Sequence, residues 1–178
     1  MGTEDKKKSL IIIYTGEGKG KTSAAVGQAV RALGAGLRVG FGQFLKRDNQ
    51  AGEQLVLKDL LSQDMFMAAG KGFYRYGRDH ERHREGALDL LRWAGRKIQD
   101  QVDLLVLDEA IYALGKELIT REEVSHLLDL GQTRGIHIVM TGRDAPAWLK
   151  ERADLISEIL VVKHPFEQNI PPQKGIEF

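Results

Sequence analysis

Short apolar runs rich in β-branched residues alternate along this chain with longer segments whose apolar residues recur at helical spacing. The apolar runs predict strands, and the segments of helical spacing predict the helices between them. The predicted strands span residues 9–15, 37–44, 65–69, 102–107, 136–141 and 155–162. The predicted helices span residues 21–33, 52–62, 78–101, 120–134 and 145–153. Such alternation is typical of an α/β protein.

The predicted strands are near-continuous apolar runs, which is typical of a parallel sheet covered by helices on both faces. The sequence therefore predicts a three-layer α/β fold, with a mostly parallel central sheet flanked by helices. Ligands of such sheets bind outside the carboxyl ends of the strands. The candidate functional motifs all follow predicted strands, so we expect them to meet at one edge of the sheet.

At 178 residues the chain is expected to form one domain, residues 1–178, with a flexible start at residues 1–8 and an irregular tail at residues 163–178. The net charge of +1 and the isoelectric point near 8.0 give no argument for binding nucleic acid or a membrane surface. The absence of cysteine excludes disulfides and a thiol nucleophile, and it fits a reducing compartment. No apolar run approaches the ~18 residues of a membrane helix, so we expect a cytoplasmic protein.

A glycine-rich turn follows the first predicted strand and ends in Gly20-Lys21-Thr22. Glycines let backbone N–H groups converge on phosphate oxygens, and the next helix points its N-terminal N–H groups at the same anion. The lysine adds a positive charge, and the threonine hydroxyl is placed to hold Mg²⁺. The sequence therefore predicts a P-loop, RecA-like fold that binds a nucleoside polyphosphate. The predicted binding residues are Gly16, Glu17, Gly18, Lys19, Gly20, Lys21 and Thr22.

The spacing of this loop departs from the standard P-loop. Counting back from Gly20 places the first glycine at position 15, where Thr15 stands, and the glycine is instead Gly16. The loop is one residue shorter, and it carries an extra lysine, Lys19. We infer a tighter cradle that holds triphosphate differently from an ordinary ATPase. The alternative, a glycine-rich turn without a ligand, is disfavoured by the flanking strand and helix.

A second motif of the Walker B form spans residues 102–109, where a buried strand ends in Asp108-Glu109. A carboxylate at this position can hold Mg²⁺ directly or through water. Neighbouring residues on a strand point in opposite directions, so the sequence leaves open which of the two faces the metal. An exposed acidic turn after the strand is the alternative.

Further candidates have both a functional and a structural interpretation. Arg143, after the strand at residues 136–141, is either an arginine fork for phosphate or a surface arginine in a turn. Gln43 and Lys46 either reach a ligand or are solvated. His80 and His83 have helical spacing suited to a metal, but the charged sequence around them favours a solvated helix start.

Three aromatic residues, Phe73, Tyr74 and Tyr76, cluster in a glycine-rich segment at residues 70–77 that is predicted to be a loop. Aromatics in such a loop suit a lid or a platform for a flat apolar ligand. Packing onto the core is the alternative, and the segment alone favours it.

With these motifs in view, the chain resembles the P-loop-type ATP:corrinoid adenosyltransferases, which act on cob(I)alamin or cob(I)yrinic acid a,c-diamide. The resemblance covers nearly the whole chain, and the short P-loop combined with the tail is its most specific part. The matching segments are residues 15–25, 39–46, 52–53, 105–109, 141–143, 153–154, 157–158, 162–166 and 173–178, with Tyr112.

The resemblance implies that Co(I) of a reduced corrinoid attacks C5′ of ATP, takes the 5′-deoxyadenosyl group and releases triphosphate, in adenosylcobalamin synthesis or salvage. It implies that residues 16–22 and Arg143 bind triphosphate, and that Mg²⁺ is held by Thr22 with Asp108 or Glu109. Lys21, Thr22 and Glu109 are then the catalytic residues. The family is further described as cytosolic homodimers that hold ATP reversed relative to ordinary P-loop enzymes, with a reduced flavoprotein as a plausible electron donor.

The chain departs from the family in two places. After Lys46 the family has a glycine and then a tryptophan near position 49, and neither is present at positions 47–49 here. In the aromatic loop Phe73 matches, but the family's tryptophan is replaced, so Tyr74 or Tyr76 is the candidate corrinoid contact. These losses leave two alternatives, a P-loop ATPase or kinase with another acceptor, and a non-catalytic nucleotide- or corrinoid-binding module.

Overall fold

The computed structural model describes residues 8–62, 64–72, 74 and 79–177, and its sheet has six strands. The strands in chain order are β1 Ile11–Thr15, β2 Val39–Gln43, β3 Phe66–Ala68, β4 Leu104–Asp108, β5 His137–Thr141 and β6 Leu155–Glu158. Their order across the sheet is β3-β2-β4-β5-β1-β6, and every neighbouring pair is parallel. All six strands therefore end at the same edge of the sheet, as the motifs predicted.

In the part of the chain that the structure describes, six α-helices connect the strands, and one of them was not predicted. They are α1 Lys21–Gly34, α2 Gly52–Leu60, α3 His80–Gln99, α4 Ala110–Gly115, α5 Arg121–Thr133 and α6 Ala147–Arg152. The unpredicted helix is α4, whose six residues are too few to show a helical period. No helix in the described ranges is long and apolar enough to cross a bilayer.

The core lies on both faces of the central strands. Every residue of β2 and β4 is buried, although successive side chains point to opposite faces, so helices must cover both faces. On one face α3 packs closely enough that an added Cβ at Gly42 would lie 3.0 Å from the side chains of Leu90 and Trp93. The predicted three-layer arrangement is confirmed, and its sheet is wholly parallel over the described strands.

The edge strand β6 ends earlier than the predicted strand at residues 155–162. All four of its residues are exposed, unlike those of the central strands. After Glu158 the chain turns toward the first loop: the Ile159 N–H donates to the Thr15 carbonyl at 2.8 Å, and the Ile159 carbonyl accepts from the Gly18 N–H at 2.7 Å. Ile159, the first residue beyond Glu158, thus braces the loop instead of continuing the strand.

Candidate functional site

The glycine-rich loop connects β1 to α1 and has the backbone that a phosphate cradle needs. Gly16 and Gly20 have φ of 101° and 119°, in the region that favours glycine. Gly18 instead has no room for a side chain, because an added Cβ would lie 2.7 Å from the carbonyl oxygens of Ile159 and Leu160. Thr15 belongs to β1, so Gly16 is the first residue of the loop. The displaced glycine therefore marks a short loop held between the strand and the segment after β6.

Lys21 is the first residue of α1, and its side chain reaches back into this loop. Its ammonium donates to the carbonyl oxygens of Gly16 at 2.8 Å and Gly18 at 2.7 Å. Burial, and then the positive charge of Arg143, lowers the pKa of Lys21. The side chain holds the loop in its curved shape and places a positive charge against a concave surface, as a phosphate site requires.

The other charged residues of the predicted cradle are paired at its rim. Lys19 forms an ion pair with Glu177 at 2.7 Å, and its ammonium also donates to the Ile176 carbonyl, so the tail lies against the loop. Arg143 forms an ion pair with Glu17 at 2.8 Å, and both side chains are more than half exposed. The structure thus brings Arg143 next to the loop, where it contacts Glu17.

Asp108 is the buried carboxylate at the end of β4. Its oxygens accept hydrogen bonds from the hydroxyls of Thr141 at 2.7 Å and Thr22 at 3.0 Å, and from the Gln43 amide at 3.0 Å. The side chain has no exposed surface. The P-loop threonine and the Walker B aspartate, which the sequence placed at the same edge of the sheet, are therefore in direct contact.

Glu109 lies beside this cluster at the start of α4. Its backbone has φ of 61°, and its N–H donates to the Thr141 hydroxyl at 2.8 Å. A non-glycine residue in this region is strained, and such strain collects at functional sites. Burial, and then the charge of Asp108, raises the pKa of Glu109. The residue that touches Thr22 is Asp108, while Glu109 lines the adjoining cavity.

Gln43 and Lys46 belong to this cluster and not to the outer surface: Gln43 is fully buried, and the Lys46 side chain is 24% exposed. The Lys46 ammonium contacts Asp108, Glu53 and the Thr22 hydroxyl, and Gln43 bridges Asp108 and Glu53. Burial alone would lower the pKa of Lys46, but the charges of Asp108 and Glu53 outweigh it and raise that pKa. In return Lys46 lowers the pKa of Glu53 against the effect of burial.

Two residues of α2, Glu53 and Gln54, also belong to the site, although they were not among the predicted site residues. Gln54, fully buried, donates to the Gln43 side-chain oxygen at 2.7 Å and to the Arg47 carbonyl at 3.0 Å. Glu53 accepts from Lys46 at 3.0 Å. The available signal was a polar pair, Glu53-Gln54, at the start of a short helix next to the strand-end candidates.

These groups surround a cavity of about 550 Å³, within the usual range for small-molecule sites. The charged and hydroxyl side chains in its wall include Lys19, Lys21, Thr22, Lys46, Glu53 and Glu109, and the tail at residues 175–177 also lines it. Three lysines, the carboxylates of Glu53 and Glu109 and the Thr22 hydroxyl thus face one space, which suits a polyphosphate with a divalent cation.

Part of the aromatic loop lies outside the described residues, including Phe73 and Tyr76. Tyr74 is described, and it packs against the core: its hydroxyl is 3.1 Å from His80 Nδ1, and its ring meets that of His83 edge-on at 5.4 Å. His83 is only 4% exposed. The expectation of a solvated helix start is therefore wrong at His83, because Tyr74 covers it. For Tyr74 the structural interpretation, packing on the core, is the one observed.

A solved structure supports the fold. The KaiC-like protein of the hyperthermophilic archaeon Pyrococcus horikoshii superposes with a TM-score of 0.59, covering 88% of this chain and 75% of that one, at 15% identity. At this identity the likeness concerns the fold alone, and it agrees with the predicted three-layer, RecA-like architecture.

Sequence relatives point to one activity. The corrinoid adenosyltransferase of Pseudomonas aeruginosa is 34% identical over 174 residues, covering 97% of this chain and 85% of that protein. The corresponding protein of a Sinorhizobium species is 36% identical over 182 residues, covering 100% and 84%. The corrinoid adenosyltransferase CobA of Salmonella typhimurium is 33% identical over 176 residues, covering 97% and 87%.

The profile of the family described as ATP:corrinoid adenosyltransferase BtuR/CobO/CobP matches residues 7–178, nearly the whole chain. The resemblance predicted from the short P-loop and the tail is thereby confirmed, and the alternative of an ATPase or kinase is not favoured. The chain belongs to the ATP:corrinoid adenosyltransferase family.

Proposed function

We propose that this protein transfers the 5′-deoxyadenosyl group of ATP to the Co(I) centre of a corrinoid and releases inorganic triphosphate. The electron pair of Co(I) forms the new bond to C5′ while the bond from C5′ to the triphosphate oxygen breaks, and that oxygen keeps its electron pair. The proposal rests on one observation: this chain, which belongs to the family, has the short P-loop, and the Thr22 of that loop contacts Asp108 beside a lysine-lined cavity.

Triphosphate binding is the part of the reaction to which this chain's own residues contribute most. We assign it to the loop at residues 16–22, with Lys21 and Lys19 as its charges and Arg143 as a further phosphate contact. For a leaving group with several negative charges, fixed donors and cations stabilise the transition state by stabilising the charge that develops on the departing oxygen. Lys21, Thr22 and Glu109 are the proposed catalytic residues.

The donor set at the Thr22–Asp108 contact fits Mg²⁺. Both groups offer hard oxygen ligands, and Mg²⁺ in proteins is commonly held by one or two carboxylates together with substrate phosphates. We propose that Thr22 and Asp108 hold the ion, with Glu109 as a further oxygen ligand from the cavity wall. When bound there, Mg²⁺ would neutralise charge on the triphosphate.

The remaining proposals rest on the resemblance. We propose a single cytoplasmic domain that works as a homodimer and receives electrons from a reduced flavoprotein. We also propose that the segment containing Phe73, Tyr74 and Tyr76 contacts the corrinoid. For Tyr74 this requires the ring to leave its observed packing against His83.

The direct test is anaerobic incubation of the protein with ATP, Mg²⁺ and chemically reduced cobalamin, followed by its absorption spectrum. The proposal predicts a light-sensitive species with a cobalt–carbon bond. No such species with cobalamin or with its incomplete corrinoid precursors would contradict the proposal.

A further inference from the structure

The ammonium group of Lys46 lies where oxygen atoms from three different elements converge. It is 3.0 Å from Asp108 Oδ2, 3.0 Å from Glu53 Oε1 and 3.1 Å from Thr22 Oγ1. Two of these oxygens, from Thr22 and Asp108, are the ones that the proposed function gives to Mg²⁺. A cationic group of the protein itself thus contacts the proposed metal ligands.

The backbone fixes Lys46 in this place. Leu45 has φ of 61°, and the Lys46 N–H donates to the Phe44 carbonyl at 2.7 Å, so the chain turns sharply after β2. The Gly70 N–H donates to the Lys46 carbonyl at 2.8 Å, and an added Cβ at Gly70 would lie 2.3 Å from the backbone of Leu45 and Lys46. A strained turn that is packed this closely is positioned by the fold.

The charges explain why a cation is needed at this point. Asp108 is fully buried, Glu53 is about one-fifth exposed, and both carboxylates contact the same Lys46 ammonium. A buried charge without a partner is costly, and Lys46 supplies the partner. A divalent cation at the same oxygens would meet the Lys46 ammonium within a few ångströms, and the two cations would repel each other.

We propose that Lys46 and the divalent cation compete for the oxygens of Thr22 and Asp108, so that the metal enters only together with a polyphosphate that offers Lys46 a new partner. Lys46 lines the cavity, and its side chain has four rotatable bonds, so its ammonium can move from the carboxylates to phosphate oxygens. Lys46 is then a specificity-determining residue, because it admits the metal–nucleotide complex and disfavours the free ion. The inference rests on the proposed function only in taking Thr22 and Asp108 as metal ligands.

The test is a titration of the full-length protein with Mn²⁺, a spectroscopic substitute for Mg²⁺, followed by electron paramagnetic resonance and without nucleotide. We expect Lys46→Gln, which keeps an N–H donor but loses the charge, to bind Mn²⁺ at least about tenfold more tightly than the wild type. Lys46→Arg, which keeps the charge, should bind as weakly as the wild type. The control is Lys58→Gln on α2, which removes a lysine paired with Asp48 outside the cluster, and it should leave Mn²⁺ binding unchanged.

Equal Mn²⁺ affinity of Lys46→Gln and the wild type would overturn the proposal that Lys46 competes with the metal. A gain in Mn²⁺ affinity in Lys58→Gln equal to that in Lys46→Gln would also overturn it. Circular dichroism establishes that each variant is folded. If Lys46→Gln does not fold, Lys46→Met, a neutral side chain of similar length, is titrated in its place. Mn²⁺ affinity equal to that of the wild type overturns the proposal, and a gain of about tenfold supports it. The titrations contain no corrinoid, so their failure is distinguishable from a failure of adenosyl transfer.

Discussion

At the scale of single residues, Asp108 organises the site. The carboxylate is fully buried and accepts hydrogen bonds from four side chains. The donors are Thr141 on β5, Thr22 on α1, Gln43 on β2 and Lys46 in the turn after β2. The described residues contain no buried side-chain polar atom without a hydrogen-bond partner. Because a fully satisfied buried network is rigid, it fixes the position of the Thr22 hydroxyl relative to the loop.

We predict that Lys21→Ala lowers the affinity for MgATP by roughly a hundredfold, because charge-assisted hydrogen bonds contribute about 1.5–3 kcal/mol each. Isothermal titration calorimetry with MgATP measures the effect. The matched control is Lys58→Ala on α2, which should bind MgATP like the wild type. Unchanged binding by Lys21→Ala would contradict the role given to the loop.

Glu109 gives a prediction with a defined pH dependence. Burial and the charge of Asp108 raise its folded pKa above the ordinary value of about 4.3, so the folded protein binds more protons than the unfolded chain just above that pH. The contribution of Glu109 to the free energy of unfolding therefore falls as the pH rises from about 4.3 through the raised pKa, and this loss persists at neutral pH.

We therefore expect Glu109→Gln to raise the melting temperature at pH 7 by a few degrees (about 1 kcal/mol), while reducing adenosyl transfer. The gain should shrink as the pH falls to about 4, where the carboxyl group becomes mostly neutral in both states. Glu85→Gln, at an exposed position of α3, should change the melting temperature at neither pH. Thermal unfolding followed by circular dichroism makes the comparison, and a gain over the wild type that is no larger at pH 7 than at pH 4 would refute it.

At the scale of elements, the first loop depends on the segment after β6. The Gly18 N–H donates to the Ile159 carbonyl, and Gly18 has no room for a methyl group beside the carbonyls of Ile159 and Leu160. The predicted strand at residues 155–162 thus ends at Glu158 because its continuation braces the loop, which no local pattern of apolar residues reveals.

We predict that Gly18→Ala destabilises the protein by about 1–3 kcal/mol, since the added methyl group meets backbone atoms that cannot move aside freely. Gly27→Ala is the matched control, because Gly27 lies inside α1 with nothing within 4 Å of an added Cβ. The control should gain about 0.5–1 kcal/mol from helix propensity. Urea unfolding of both variants tests the contrast, and equal effects would contradict the proposed brace.

Sequence patterns predicted the elements well where they carried local signals. Thr120 caps α5 and forms a capping box with Glu123, as the spacing of the two residues predicted. The α4 helix was missed because six residues after an acidic turn show neither a period nor a cap. The burial of His83 was missed because it depends on Tyr74, from the preceding loop, packing back onto α3.

At the scale of the whole molecule, the sequence did not predict the order of the strands in the sheet. It did predict that the motifs lie together at one edge of the sheet. Parallel strands share one carboxyl edge, so the loop after β1 and the acid after β4 had to approach each other. The contact between Thr22 and Asp108 follows from this rule. The contact of Glu53 with Lys46 and that of Gln54 with Gln43 could not be predicted, because they depend on the three-dimensional course of α2.

The phosphate product of the reaction tests the central claim most directly. In an anaerobic reaction with ATP, Mg²⁺ and reduced corrinoid, ³¹P nuclear magnetic resonance should show inorganic triphosphate in equal amount to the new cobalt–carbon product. The appearance of ADP and phosphate instead, without an organocobalt species, would contradict adenosyl transfer and indicate an ordinary P-loop ATPase.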